Sequence, residues 1–124
     1  MVVDLLIPKS SATGHSAFIK LGSRKYLVIS IAMCATRISV DNNNVIDSAA
    51  ISMGSCSVVA KRLHQLEQEL IGQKLSPDLC NSVAPHHISD LSPIDDVRAS
   101  AAYRRDSSLE LVKRSVTALV SSSQ

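Results

Sequence analysis

Two runs of β-branched and aliphatic residues, divided by Asp41-Asn42-Asn43-Asn44, constrain this chain more than any other feature. Tyr26 to Val40 and Val45 to Met53 favour extended structure, and asparagine tolerates the left-handed backbone that a tight reversal needs. The stretch Tyr26 to Met53 therefore predicts one antiparallel β-hairpin. In its second strand Ala49, Ile51 and Met53 share one face, and Ser48, Ala50 and Ser52 put small side chains on the other. The first strand is less regular. Its apolar run implies burial on both faces near the middle, or a bulge that moves the pattern across. A lone hairpin is marginal in water, so the rest of the chain must cover it.

With 124 residues, 45% hydrophobic and 19% charged, the chain has the size and composition of one folded domain. A net charge of +2, with bases and acids interleaved, supplies no footprint for a polyanion. Only Phe18, Tyr26 and Tyr103 could stack on bases, so nucleic acid is not an expected partner. Neither a membrane span nor a signal peptide is visible, and Cys34, Cys56 and Cys80 are odd in number and widely spaced. Reduced thiols and a cytoplasmic location are expected.

Val2 to Ile7 is a short apolar segment ended by Pro8 and followed by a polar stretch. Ala17 to Leu21 reads as extended, with Ser23 a candidate cap for a turn of helix. After the hairpin, Ser55 or Ser57 can cap a helix starting near Val58, in which Val59, Leu63, Leu66 and Leu70 recur at helical spacing, and Gly72 ends it. Ser76-Pro77 starts a further helix through Leu79 and Val83, weakened by Pro85. The last helix spans about Ser100 to Leu119, with Leu109, Val112, Val116 and Leu119 as its apolar stripe and Arg104, Arg105, Lys113 and Arg114 mostly outside it. Strands first and helices afterwards predict an α+β two-layer sandwich, a small antiparallel sheet of about three strands covered by about three helices.

Chemistry is sparse. His86-His87, with His15, His64 and the cysteines, lacks the spacing of a known metal motif, and surface histidines are the expected reading. Asp95 and Asp96 are expected to cap a helix start or accept from an arginine. No serine or cysteine has a partner base at a recognisable spacing, and the four glycines form no phosphate cradle. The residues by themselves define neither a catalytic set nor a metal site.

Three stretches together resemble the C-terminal domain of the FAD-carrying medium subunit of molybdenum hydroxylases, the carbon monoxide dehydrogenase and xanthine dehydrogenase family. They are Phe18 to Lys25, Met53-Gly54-Ser55 with Arg62, and Ile94 to Arg105, where Asp96-Val97-Arg98 and Tyr103-Arg104-Arg105 are similar to a family signature. Ala102, Ser107 and Val58 depart from the family's usual acid, leucine and proline.

The resemblance implies that residues 1–15 are the end of a preceding FAD domain or a linker, 16–120 the flavoprotein C-terminal domain and 121–124 a disordered tail. It implies a non-catalytic part of an oxidoreductase subunit that passes electrons between a molybdenum/iron–sulfur partner and an acceptor. The partners would be the FAD-binding domains of the same subunit and the iron–sulfur and molybdopterin subunits, with FAD held mainly outside this chain. Lys20 matches the family lysine close to the flavin, where a cation suits the charge gathered on reduction. Asp96, Arg98 and Tyr103 would tie the last helix to the hairpin. The alternative, in another class, is a stand-alone interaction module or homo-oligomer without redox activity.

Overall fold

The computed structural model describes residues 1–122. Four antiparallel strands lie in the order β1-β2-β3-β4: β1 His15–Leu21, β2 Ala32–Val40, β3 Ile46–Gly54 and the two-residue β4 Lys61–Arg62. Two α-helices, α1 His64–Leu70 and α2 Ala101–Ser122, cover one face, together with 3-10 turns at Pro77–Ser82 and Pro85–Ile88. The architecture is the expected α+β sandwich. Among the described residues no helix is long and apolar enough to cross a membrane.

The hairpin turns where the asparagines predict it. Asn44 takes φ 62°, and the Asp41 carboxylate accepts from the amides of Asn43 and Val45 at 2.8 and 2.9 Å, so the reversal is fixed by side chain as well as backbone. Register shifts between Ser39 and Val40, a bulge beside the turn. Ala32, Cys34, Thr36 and Ile38 of β2 and Ala49, Ile51 and Met53 of β3 face the helices and are buried. Met33, Ala35, Ser48, Ala50 and Ser52 occupy the other face.

The first long strand is shorter than expected. It begins at Ala32, because the Ile31 amide donates to the Leu21 carbonyl at 2.8 Å and closes β1 onto β2 there. Gly22 to Ser30 form a loop with no helical turn for Ser23 to cap. The apolar residues counted as strand, Tyr26, Leu27 and Ile29, are exposed.

The helix expected from Val58 is also corrected. Val58 and Val59 are exposed, Lys61–Arg62 pair with β3, and α1 starts only at His64. Ser57 does not cap it: its hydroxyl donates to the Cys56 carbonyl and accepts from the Ser92 amide. Leu63, Leu66 and Leu70 are nonetheless buried, each worth about 1.5–3 kcal/mol. Gly72, at φ 87°, lies just beyond α1. Pro85 divides the middle helix into the two 3-10 turns, which bury Leu79, His87 and Ile88.

Helix α2 buries Val112, Val116 and Leu119 of its predicted stripe, with Leu109 only partly buried and Leu111 and Val120 buried as well, and Ser100 caps it by accepting from the Tyr103 amide at 3.1 Å. It continues through Ser121 and Ser122, which the sequence placed in a tail; Ser123 and Gln124, the rest of that tail, lie outside the described residues. Its buried face also carries Ser108 and Ser115, whose hydroxyls meet Cys56 Sγ and Thr36 Oγ1. These small residues bring the helix close to the sheet without orphaning a polar group. Residues 1–14 precede the sheet and are exposed, with a 3-10 turn at Lys9–Ala12.

Candidate functional site

One end of the sheet collects the residues singled out from the sequence. There the β1–β2 loop, the Ser55 to Val59 segment after β3 and the Ile94 to Arg98 segment before α2 come together.

Arg104, only 3% exposed, joins them. Its Nη1 donates to the carbonyls of Ile31 and Ser55, and its Nη2 donates to Asp96 Oδ1 at 2.8 Å. Asp96 also accepts from the amides of Arg98 and Ala99 and from Arg98 Nη1 at 3.0 Å. The Arg98 amide and the Arg104 guanidinium, with the remaining donors, hold the Asp96 carboxyl far below the usual carboxylate range. Asp95 Oδ1 accepts from the Ala101 amide at 2.6 Å, at the start of α2. Both aspartates thus do what the sequence predicts, capping and accepting from arginine.

The tie between helix and hairpin, expected from Asp96, Arg98 and Tyr103, runs through Arg104 with Asp96 as its partner. Tyr103 is half-exposed, whereas Arg104, read as lying outside the apolar stripe, is the buried residue that reaches the sheet. Its Nε is buried without a partner, so this junction is not fully satisfied.

Lys20 lies on the open face of β1, exposed, opposite Met33. Its Nζ donates to the Val28 carbonyl at 2.6 Å, which ties it to the β1–β2 loop. Arg24 Nη2 donates to the Leu27 carbonyl at 3.2 Å, and Lys25 Nζ sits 5.3 Å from the centre of the Tyr26 ring. Leu27 is held at φ 50° and Ser55 at φ 64°. Left-handed backbone costs a residue with a side chain roughly 1–2 kcal/mol, and here two such residues flank the same end.

Away from that end, Glu69, His86 and His87 place ligand atoms within 4.8 Å of one another. His87 is buried, not a surface histidine as expected, and its Nδ1 accepts from the Ala84 amide at 3.0 Å. A backbone N–H can only donate, so in the neutral ring the proton is on Nε2, which donates to Glu69 Oε2 at 2.8 Å. The nitrogen a metal would need is the protonated one. This cluster works as a clamp between α1 and the Pro85 turn.

The fold and this end define a two-layer α+β domain with a basic, loop-built edge. The family model of the CO dehydrogenase flavoprotein C-terminal domain matches residues 17–119, and the chain belongs to that family. Solved structures agree in fold. Quinoline 2-oxidoreductase from Pseudomonas putida 86 superposes with a TM-score of 0.77 at 18% identity, covering 87% of this chain and 37% of that one. Reconstituted CO dehydrogenase from Oligotropha carboxidovorans gives 0.73 at 20%, covering 86% and 36%. The CO dehydrogenase from Hydrogenophaga pseudoflava gives 0.70 at 20%, covering 84% and 36%. The chain therefore spans little more than a third of the length of these relatives. No curated protein matches it in sequence.

Proposed function

We propose that this domain is a non-catalytic part of a molybdenum-hydroxylase flavoprotein, packed against a body that carries FAD, with Lys20 beside the flavin. The unit runs over residues 16–120, and 1–15 lead in from the flavin-carrying body. The observation that carries the reading is the family match over 17–119 combined with the position of Lys20 at the loop-built end.

The residues present suit a contact with part of the cofactor rather than a site for all of it. Among the described residues the Lys20 ammonium donates to Val28, and an ammonium has three donors, so it can donate outward while the loop fixes its position. FAD, when bound, supplies the redox chemistry. Lys20 contributes a fixed cation that favours negative charge nearby. Iron–sulfur and molybdopterin subunits are the partners from which electrons would arrive. A cytoplasmic location belongs to the same proposal, supported by three unpaired cysteines.

Lys20→Ala in the assembled flavoprotein is expected to lower the flavin reduction potential by about 30 mV or more, about 1.4 kcal/mol for a two-electron couple. The sign follows from losing a cation next to the more negative, reduced form. Lys20→Arg should restore most of the shift. An unchanged potential and unchanged flavin affinity in Lys20→Ala would reject the role.

A further inference from the structure

The three methionines of the chain have different surroundings. Met1 stands free in solvent, Met53 is 0% exposed in the core, and Met33 lies partly exposed on the open face of β2. The Met33 thioether lies across Gly54, its partner in β3. A Cβ at Gly54 would stand 2.5 Å from Met33 Cε, 2.9 Å from Cγ and 3.4 Å from Sδ. The Ser30 hydroxyl donates to Sδ at 3.7 Å. On the other flank Lys20 is the partner of Met33 in β1, and the Cβ atoms of such a pair are about 5 Å apart.

Ser30 and Lys20 both hold the β1–β2 loop. The Lys20 ammonium donates to the Val28 carbonyl at 2.6 Å, and Ser30 closes the loop with its hydroxyl on the Met33 sulfur. A thioether is a weak acceptor, whereas a sulfoxide is polar and accepts strongly. With the thioether already against Gly54, an oxygen added to the sulfur has no space on that side. It must project toward the open face, where Ser30 and Lys20 stand.

We propose that Met33 is an oxidative modification site, and that its sulfoxide takes over the Ser30 hydroxyl and the Lys20 ammonium and thereby releases the Gly22 to Ser30 loop. The oxidant is hydrogen peroxide. The sulfur gives an electron pair to one peroxide oxygen as the O–O bond breaks. That oxygen passes its proton to the departing one and stays on sulfur, and the other leaves as water. Sulfur is oxidised by two electrons and the peroxide is reduced by two. Methionine sulfoxide reductases reverse the change, which makes it a switch. Only the source of peroxide rests on the flavoprotein reading: a reduced flavin yields it when dioxygen takes two electrons and two protons.

The test uses the purified chain without flavin. After limited treatment with hydrogen peroxide, peptide mass spectrometry should find Met33 oxidised within about tenfold of the rate of Met1, and Met53 at least about tenfold more slowly than Met33. Trypsin should then cut after Arg24 and Lys25 about threefold faster than in the untreated chain, because cleavage follows the population of the opened loop. Reductases acting on both sulfoxide epimers should return cleavage to its starting rate. Met33→Leu, which keeps volume and apolar character, should abolish the peroxide effect and leave the untreated rate as in wild type. Met33→Gln, with a carbonyl acceptor in place of the sulfoxide, should show the faster cleavage without peroxide. A Met33 as resistant as Met53 would overturn the site. Unchanged cleavage with Met33 oxidised, or a peroxide effect that persists in Met33→Leu, would overturn the release of the loop. Each of these failures leaves the flavoprotein reading standing, since no flavin takes part.

Discussion

The helix-covered face of the sheet and its loop-built end are organised on opposite principles. On the covered face Ile51, Met53, Leu66, Val112, Val116 and Leu119 are buried against one another, and the polar groups among them, Thr36, Ser108 and Ser115, are hydrogen-bonded at short range. At the end, large apolar side chains stand in water, two residues are left-handed, and a buried guanidinium holds three segments together. The first region resembles a finished interior. The second has the character of a surface completed only by contact.

The contrast is sharpest at Arg104, where the two regions join. Arg104→Met keeps volume but leaves the Ile31 and Ser55 carbonyls without this donor, while Asp96 keeps the Arg98 and Ala99 amides and the Arg98 side chain. It should destabilise by about 2–6 kcal/mol in urea denaturation, about 1–3 for each carbonyl left unpaired. A loss under about 1 kcal/mol would show that the end is not tied through this residue. In the covered face, Met53→Ala should cost about 2–5 kcal/mol through the cavity it leaves, with no loss of docking beyond that caused by instability.

A smaller effect tests the junction under α1. There burial pushes the Glu67 carboxyl up, but Arg62, the Ile51 amide and nearby charge outweigh it and hold it below its ordinary 4.5. A lowered folded value means that stability is fully present above about pH 5 and is lost as pH falls through the folded pKa. Asp96, ordinarily 3.8, acts in the same direction at still lower pH. Glu67→Gln is therefore expected to cost about 1–3 kcal/mol at pH 7 and to flatten the acid limb of the stability profile. An unchanged acid limb would remove Glu67 from the account. Smallest of all, Leu27→Gly should change stability by no more than about 1 kcal/mol, since relieved strain is offset by glycine's entropy. A large loss would mean that Leu27 supports the fold instead of the contact.

The same contrast explains what could be read from the sequence. The Asp41 to Asn44 turn, the alternation of β3 and the stripe of α2 are local patterns, and each was legible because turn chemistry and periodicity are written in neighbouring residues. Val58 and Val59 misled because the spacing of four, three and four in Val59, Leu63, Leu66 and Leu70 continues a helical pattern backward across an extended segment. A two-residue strand carries no periodicity to correct it. Tyr26, Leu27 and Ile29 read as strand for the same reason: exposed apolar residues have the composition of core. At the candidate site, Asp95 and Asp96 were legible through capping chemistry. Arg104 was not, because its carbonyl partners Ile31 and Ser55 lie 73 and 49 residues away. Its burial depends on which segments meet, which no local window contains.

Amide hydrogen exchange, compared between the chain alone and the chain mixed with the flavin-carrying body proposed for it, tests the central claim most directly. The expected result is slowed exchange in the Gly22 to Ser30 and Ser55 to Val59 segments and around Val97, with the solvent-facing side of α2 unchanged. Protection confined to α2 or to the open face of β2 and β3, with those loops exchanging as before, would contradict it.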